Sequence, residues 1–156
     1  MIRTVWAGPS APELNEALGN WCAAHIGLSG RLQAPYSTMG VFDGETLIGV
    51  MLYNNYQPEE GVIEIHGAAT TPRWLTRPVL REMFAFPFER LGCQLVVMRV
   101  SERNKTWNGR GLPRLLKAYG FNAYPIPRLR GRDEGEIIYT LTDDDWRSNG
   151  FQRRQV

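Results

Sequence analysis

The stretch from Thr38 to Thr70 restricts what this chain can fold into more than any other segment. It reads TMGVF, an Asp43-Gly44 turn, TLIGVMLYNNY, a Pro58–Gly61 turn and VIEIHGAAT. Segments rich in aliphatic, β-branched and aromatic residues, cut by tight turns, fold back on one another, so a three-stranded antiparallel meander is expected. After Pro72 the period changes. From Thr76 to Leu91, apolar residues such as Val79, Met83, Phe84 and Phe88 share one broad side. Thr76 is a good N-cap before Arg77-Pro78, and Pro87 should bend the helix or end it early. Gly92 closes this helix, and CQLVVMRV follows as a nearly continuous apolar strand, expected to be covered on both faces.

The flanks complete an alternating chain. Residues 2–6 read as a short strand, and residues 10 or 11 to 26 as an amphipathic helix carrying Leu14, Leu18, Trp21 and Cys22, with Pro12 in its first turn. Residues 27–36 are a loop or a short second helix. Residues 101–111 form a polar loop, and a short helix near Leu112–Ala118 ends at Gly120. FNAYPIPRL and EIIYTLT are strand-like around the charged turn GRDEG. The order is strand, helix, three strands, helix, strand, helix, two strands, which implies an α+β sheet with at least one crossover helix. A length of 156 residues suits one domain over 1–156, with a short flexible tail from about 147 to 156.

Charge and cysteine content narrow the function classes. A net charge of +2, spread along the chain, gives no global field for nucleic acid or an anionic membrane. Cys22 and Cys93 stand far apart beside apolar residues, which fits reduced buried thiols rather than a disulfide or zinc site. The first residues carry no apolar core of signal-peptide length and no stretch is long enough to span a bilayer, so the expected location is the cytoplasm, with no membrane partner.

One strand face invites chemistry. Glu64 and His66 alternate with Ile63 and Ile65, so two polar side chains share a face. If that face lines a cleft, His66 is the candidate general base and Glu64 orients it or acts through water. The alternative is a solvated or hydrogen-bonded polar face. Arg128, Arg130 and Arg132 recur at strand spacing; they are a basic stripe able to contact a CoA phosphate, an acidic acceptor or nucleic acid, or a solvated face beside the charged hairpin, which is the preferred reading.

The element order is similar to the GNAT (acetyl-CoA-dependent N-acetyltransferase) fold. GVFDGETLIGVMLY looks like that family's second and third strands, and ERLGCQLVVMRVSERN like its third helix, fifth strand and following asparagine. LLKAYGF looks like the end of its fourth helix. The tail GEIIYTLTDDDW resembles the closing strand of the RimJ/RimL-like branch, and EIHGAATTPRWLTRPVLREMFAFPFERLG looks closest to small GNAT-like proteins of phages and prophages. The resemblance covers about residues 38–146.

It implies a central mixed, mostly antiparallel sheet of about seven strands with helices on both faces. It further implies acetyl-CoA as co-substrate, no metal, and direct attack of a primary amine on the thioester. The family's Gly-rich phosphate loop corresponds here to Arg73-Trp74-Leu75-Thr76-Arg77-Pro78, which holds no glycine. Arg73, Trp74, Leu75, Thr76 and Arg77 thus become the implied cofactor contacts, by charge and through the helix N-terminus; the alternative is that both arginines are solvated and Trp74 packs on the surface of the core. Asn104 matches the asparagine that touches the cofactor after the fifth strand. The tyrosine that reprotonates the thiolate in many relatives is replaced by Leu116, and Tyr119 should point elsewhere. Residues 107–111 look like an insertion, either a loop that shapes the acceptor or CoA site or, the preferred reading, a tolerated surface loop.

The implied acceptor is the amine of a protein, a small molecule or a modified nucleobase, with a homodimer as a candidate assembly. The alternatives are a catalytically silent GNAT-like binding protein and a phage nucleic-acid-modifying enzyme on the same fold.

Overall fold

The computed structural model describes residues 1–26, 32–104, 106–107 and 110–151. The chain runs β1 (Ile2–Ala7), α1 (Pro12–His25), β2 (Tyr36–Asp43), β3 (Thr46–Gln57), β4 (Val62–Ala69), α2 (Arg77–Ala85), β5 (Leu95–Ser101), β6 (Thr106–Trp107), β7 (Arg110–Gly111), α3 (Leu112–Tyr119), β8 (Asn122–Ile126), β9 (Glu136–Thr142) and α4 (Asp143–Ser148). Seven strands form one sheet in the order β1-β2-β3-β4-β5-β9-β8. The meander is β2-β3-β4, with Leu52 opposite His66. Among the described residues only β4 and β5 run parallel, because α2 carries the chain across the sheet between them. The result is the α+β, mixed and mostly antiparallel sheet that the sequence led us to expect.

Alternation along the strands sends two side-chain sets to two faces. On one face Met51, Ile65, Val96 and Leu141 meet Val79, Met83, Leu116 and Trp146 from α2, α3 and α4 in the larger core. On the other, Val50, Leu52 and Ala68 meet Leu18 and Cys22 of α1. Burial there pushes the Cys22 thiol up to about 12, so it stays protonated and inert.

The proline in the second helix has a visible consequence. Pro87 has no N–H to offer the carbonyl of Met83, one turn earlier. The Tyr53 hydroxyl donates to that carbonyl instead, at 2.6 Å. The turn from Phe86 to Arg90 widens to a π-turn, closed by the Leu91 amide on the Phe86 carbonyl at 3.0 Å, and Gly92 follows at φ +71°.

Three expectations need correction. β5 is not covered on both faces: Val96 and Met98 are buried, but Arg99 is exposed and Leu95 and Val97 are half-buried, because α1 packs mainly over β1 to β4. The tail does not begin at 147. Thr142 Oγ1 accepts from the Asp145 amide at 3.0 Å and caps α4, and Phe151 packs on Tyr119 with ring centroids 4.9 Å apart. Thr142 followed by three aspartates was a readable helix start, since acidic residues favour the first turn. The polar loop after β5 contains the small β6-β7 hairpin. The expected loop or helix at 27–36 falls partly on residues outside those described.

Candidate active site

The parallel ladder between β4 and β5 pairs Val62 with Leu95, Ile63 with Val96 and Glu64 with Val97, and stops there. Both strands continue, to Ala69 and to Ser101, without further pairing to each other among the described residues. The sheet therefore opens at its centre. A cleft of about 580 Å³ lies on the α1 face at this opening, between His66 and Gly67 on one side and Met98 to Ser101 on the other. A second, of about 510 Å³, shares Arg103, Asn104 and Glu136 with it and reaches the β8 edge.

Glu64 and His66 both line the cleft, as their shared parity predicted. A residue that the sequence did not single out decides how the histidine is held. Asn54 on β3 is buried, and its Nδ2 donates to the Gln33 carbonyl at 3.2 Å. That orients its amide so that Oδ1 lies 3.0 Å from His66 Nε2, and Glu64 Oε2 lies 3.3 Å from the same nitrogen. Two acceptors against one ring nitrogen require the hydrogen on Nε2, so in the neutral ring the lone pair sits on Nδ1. The bond to His66 holds the Glu64 carboxyl below its usual range against the opposing effect of burial, with Arg99 adding to the lowering. The only sequence signal for Asn54 was a polar side chain at an inward-facing position near the end of an apolar strand.

The far wall is built from arginines and glutamates. Glu136 is 4% exposed and accepts from two guanidinium groups. Arg99 donates from Nε and Nη2 to Oε2 at 3.0 and 2.8 Å, and Arg130 contacts Oε1 through Nε at 3.2 Å and Nη2 at 3.1 Å. Arg103 pairs with Glu134 at 3.1 Å, and Ser101 Oγ donates to Glu134 at 2.6 Å. Arg130 stays exposed, as Arg128 and Arg132 do, but it alone of the three is paired with the buried Glu136 among the described residues. Asn104 is at the mouth shared by both cavities, its amide on the Ser101 carbonyl at 3.0 Å.

The glycine-free loop lies on the opposite face. Arg73 pairs with Asp43 in the β2-β3 turn, and Arg77 stands over the Phe151 ring, 5.7 Å from its centroid. The Trp74 side chain is not a ligand contact: it is 1% exposed and packs against Gly49, so no indole surface remains to touch a cofactor. Leu75 lines a narrow apolar groove of about 40 Å³ between α2 and α3, which Phe151 also lines. Met98 borders both this groove and the cleft.

The start of α2 offers less than a helix N-terminus normally does. Pro78 has no N–H, Thr76 Oγ1 takes the Val79 amide at 3.3 Å, and the Thr76 carbonyl takes that of Leu80 at 2.9 Å. Tyr119 is in the core, where its hydroxyl accepts from Trp146 Nε1 at 3.1 Å, so no tyrosine acid stands at the cleft in the family's position.

No protein-family model matches this sequence, and no curated protein sequence matches it. Solved structures do. Mutant forms of the spermidine/spermine N-acetyltransferase SpeG from Vibrio cholerae align with a TM-score of 0.64 over 96% of this chain and 99% of theirs, at 12% identity. A T. thermophilus protein assigned as an acetyltransferase aligns with a TM-score of 0.60 at 18% identity. The fold is that of the GNAT acetyltransferases. The alignment with the T. thermophilus protein covers 75% of this chain and 64% of that one, less than two thirds of its length. At such identities the likeness is one of fold. Among the described residues no group of three or more His, Cys, Asp or Glu is placed to hold a metal ion, and no helix is long and apolar enough to cross a membrane.

Proposed function

We propose that this chain is an acetyl-CoA-dependent N-acetyltransferase that acts on a primary amine by direct attack in a ternary complex. The observation that carries this reading is the opened β4-β5 pair with an oriented histidine at its edge. Acetyl-CoA, the co-substrate, supplies an acetyl thioester whose sulfur is a weak enough base to leave without a dedicated acid. Arg73 and Arg77 offer charge to the phosphates, Leu75 and the apolar groove flank the pantetheine, and Asn104 gives a polar contact near the cleft. Thr76 fixes the helix start beside them, and Trp74 supports the loop from within the core.

His66 Nδ1 receives the proton of the attacking amine. Asn54 and Glu64 hold the ring from the Nε2 side, and the Glu64 carboxylate stabilises the imidazolium that forms. A general base placed in this way contributes roughly 10²- to 10⁴-fold. The test is calorimetric titration of the purified chain with acetyl-CoA, followed by release of CoA thiol in the presence of amines. Binding and thiol release support the reading; no binding at high micromolar concentration sinks it.

A second reading is a catalytically silent binding protein, favoured by Pro78 and by the Val79 and Leu80 amides at the start of α2 being bonded to Thr76. The same titration separates the two. The RimJ/RimL-like and phage affinities, a cytoplasmic location and a homodimer belong to the first reading. V. cholerae SpeG forms a dodecamer, and light scattering at twice 17.8 kDa supports a dimer here, whereas a monomer overturns it. Gel-shift retention of DNA or RNA at physiological salt would favour a nucleic-acid-modifying role instead.

A further inference from the structure

We infer that the acceptor is a small zwitterion, a primary amine that also carries a carboxylate or phosphate group. This rests on the acetyl-transfer reading for its identity as an acceptor, but the binding site it describes can be tested alone.

The cleft is electrically divided. On the β4 side stands Glu64, whose carboxylate is kept ionised. On the β5-β9 side stand Arg99 and Arg130, which share a single carboxylate, Glu136. Arg99, Arg103 and Arg130 stand around the cleft with Glu64, Glu134 and Glu136, so the charges are matched in number but separated in space, with the guanidinium groups on the β5-β9 side and Glu64 on the β4 side. The register gives the spacing. Glu64 pairs with Val97, and Arg99 is the next residue of β5 on the same face, so the two signs are diagonal neighbours across the opening. Their charges are coupled: Arg99 contributes to the lowering of Glu64.

The arginines are also held for a second anion. Arg99 and Arg130 each use Nε and Nη2 on the buried carboxylate, which fixes the guanidinium planes and leaves the Nη1 ends for another acceptor. Their side chains are 41% and 33% exposed, so those ends are accessible. A fork already held by a buried carboxylate has less freedom to lose when it binds an oxyanion.

An amine at Glu64 and His66 with an oxyanion at Arg99 and Arg130 matches both signs. A polyamine, positive along its whole length, meets Arg99, Arg103 and Arg130 and is disfavoured by like charge. The acceptor named for SpeG is therefore not the acceptor expected here. A cleft of about 580 Å³ is in the range of small-molecule sites.

The experiment is calorimetry of the full chain at low salt, without and with saturating CoA. The probes are an amino acid, glucosamine 6-phosphate, spermidine and ethanolamine. We expect the carboxylate or the phosphate probe to bind at least tenfold more tightly than spermidine and ethanolamine; whichever binds identifies the oxyanion. Arg99→Gln should weaken that binding at least tenfold, as should Arg130→Gln, with near-UV circular dichroism to confirm folding of each. If Arg99→Gln fails to fold because Glu136 loses a partner, Arg130→Gln and the wild-type ranking still decide. Spermidine binding as tight as the oxyanion probes, no binding of either oxyanion probe, or binding unchanged in the folded arginine variants overturns the inference. Oxyanion binding without any thiol release from acetyl-CoA upholds this inference while sinking the transfer reading.

Discussion

Gly49→Ala tests how the loop before α2 is held. A Cβ at Gly49 would lie 2.6 Å from Trp74 Cε3 and 3.0 Å from Cδ2. Carbon atoms rest at about 3.5–4.0 Å, so the indole must withdraw by about 1 Å. It has little room to do so, being 1% exposed within the larger core. Overpacking of this kind costs about 1–3 kcal/mol. Replacing a glycine whose backbone suits alanine returns about 0.4–1 kcal/mol through the unfolded chain, so the net loss is about 1.3 kcal/mol at the middle of these ranges and at most about 2.6 kcal/mol. For a domain of this size that lowers Tm by roughly 2–8 °C, read by circular dichroism. The loss should shrink by more than half in a Trp74→Leu background, because the two residues are in direct contact. An unchanged Tm, or full additivity of the two substitutions, would refute the packing argument.

Four other outcomes follow from the site. His66→Ala should lower kcat by about 10²-fold or more with little change in acetyl-CoA affinity, measured by steady-state kinetics and calorimetry. Arg77→Ala should do the reverse, weakening acetyl-CoA binding about tenfold in the same titration through loss of one phosphate contact. Asn54→Asp puts a carboxylate against His66 Nε2, which favours the imidazolium, so the acidic limb of the kcat/KM profile, where the base must lose its proton, should move to higher pH; an unmoved limb would contradict the assignment of that nitrogen. Glu64 has a folded pKa below its unfolded value, so its contribution is complete above the ordinary carboxyl range near about 4.3 and is lost as pH falls through the folded value. The stability difference between wild type and Glu64→Gln in urea titrations should therefore be constant from about pH 6 upward and close as the solution is acidified; a difference that grows on acidification has the wrong sign.

Much of the fold was written in local chemistry. The two turns of the meander, Thr76 as a cap and Gly92 after the second helix are decided by a few residues each, and those features formed where they were expected. What escaped depends on residues distant in sequence. The open face of β5 follows from where α1 ends its coverage, and nothing within CQLVVMRV encodes that. Glu64 and His66 were legible because period-two alternation is a property of one strand. Asn54 was not, because its role requires Gln33 on one side and His66 on another. Trp74 was assigned by its position in a loop, but a glycine 25 residues earlier provides the space that takes the indole into the core. Arg130 resembled its neighbours Arg128 and Arg132 in sequence, and only the buried Glu136 separates it from them.

Single-turnover acetyl transfer tests the central claim most directly. Radiolabelled acetyl-CoA is mixed with excess enzyme and a primary amine, and the label is followed into the amine by chromatography. The account predicts an N-acetylated product that forms only with all three components present, at a rate reduced about 100-fold or more in His66→Ala. Label remaining on CoA with every amine, or transfer at an equal rate in wild type and His66→Ala, would contradict it.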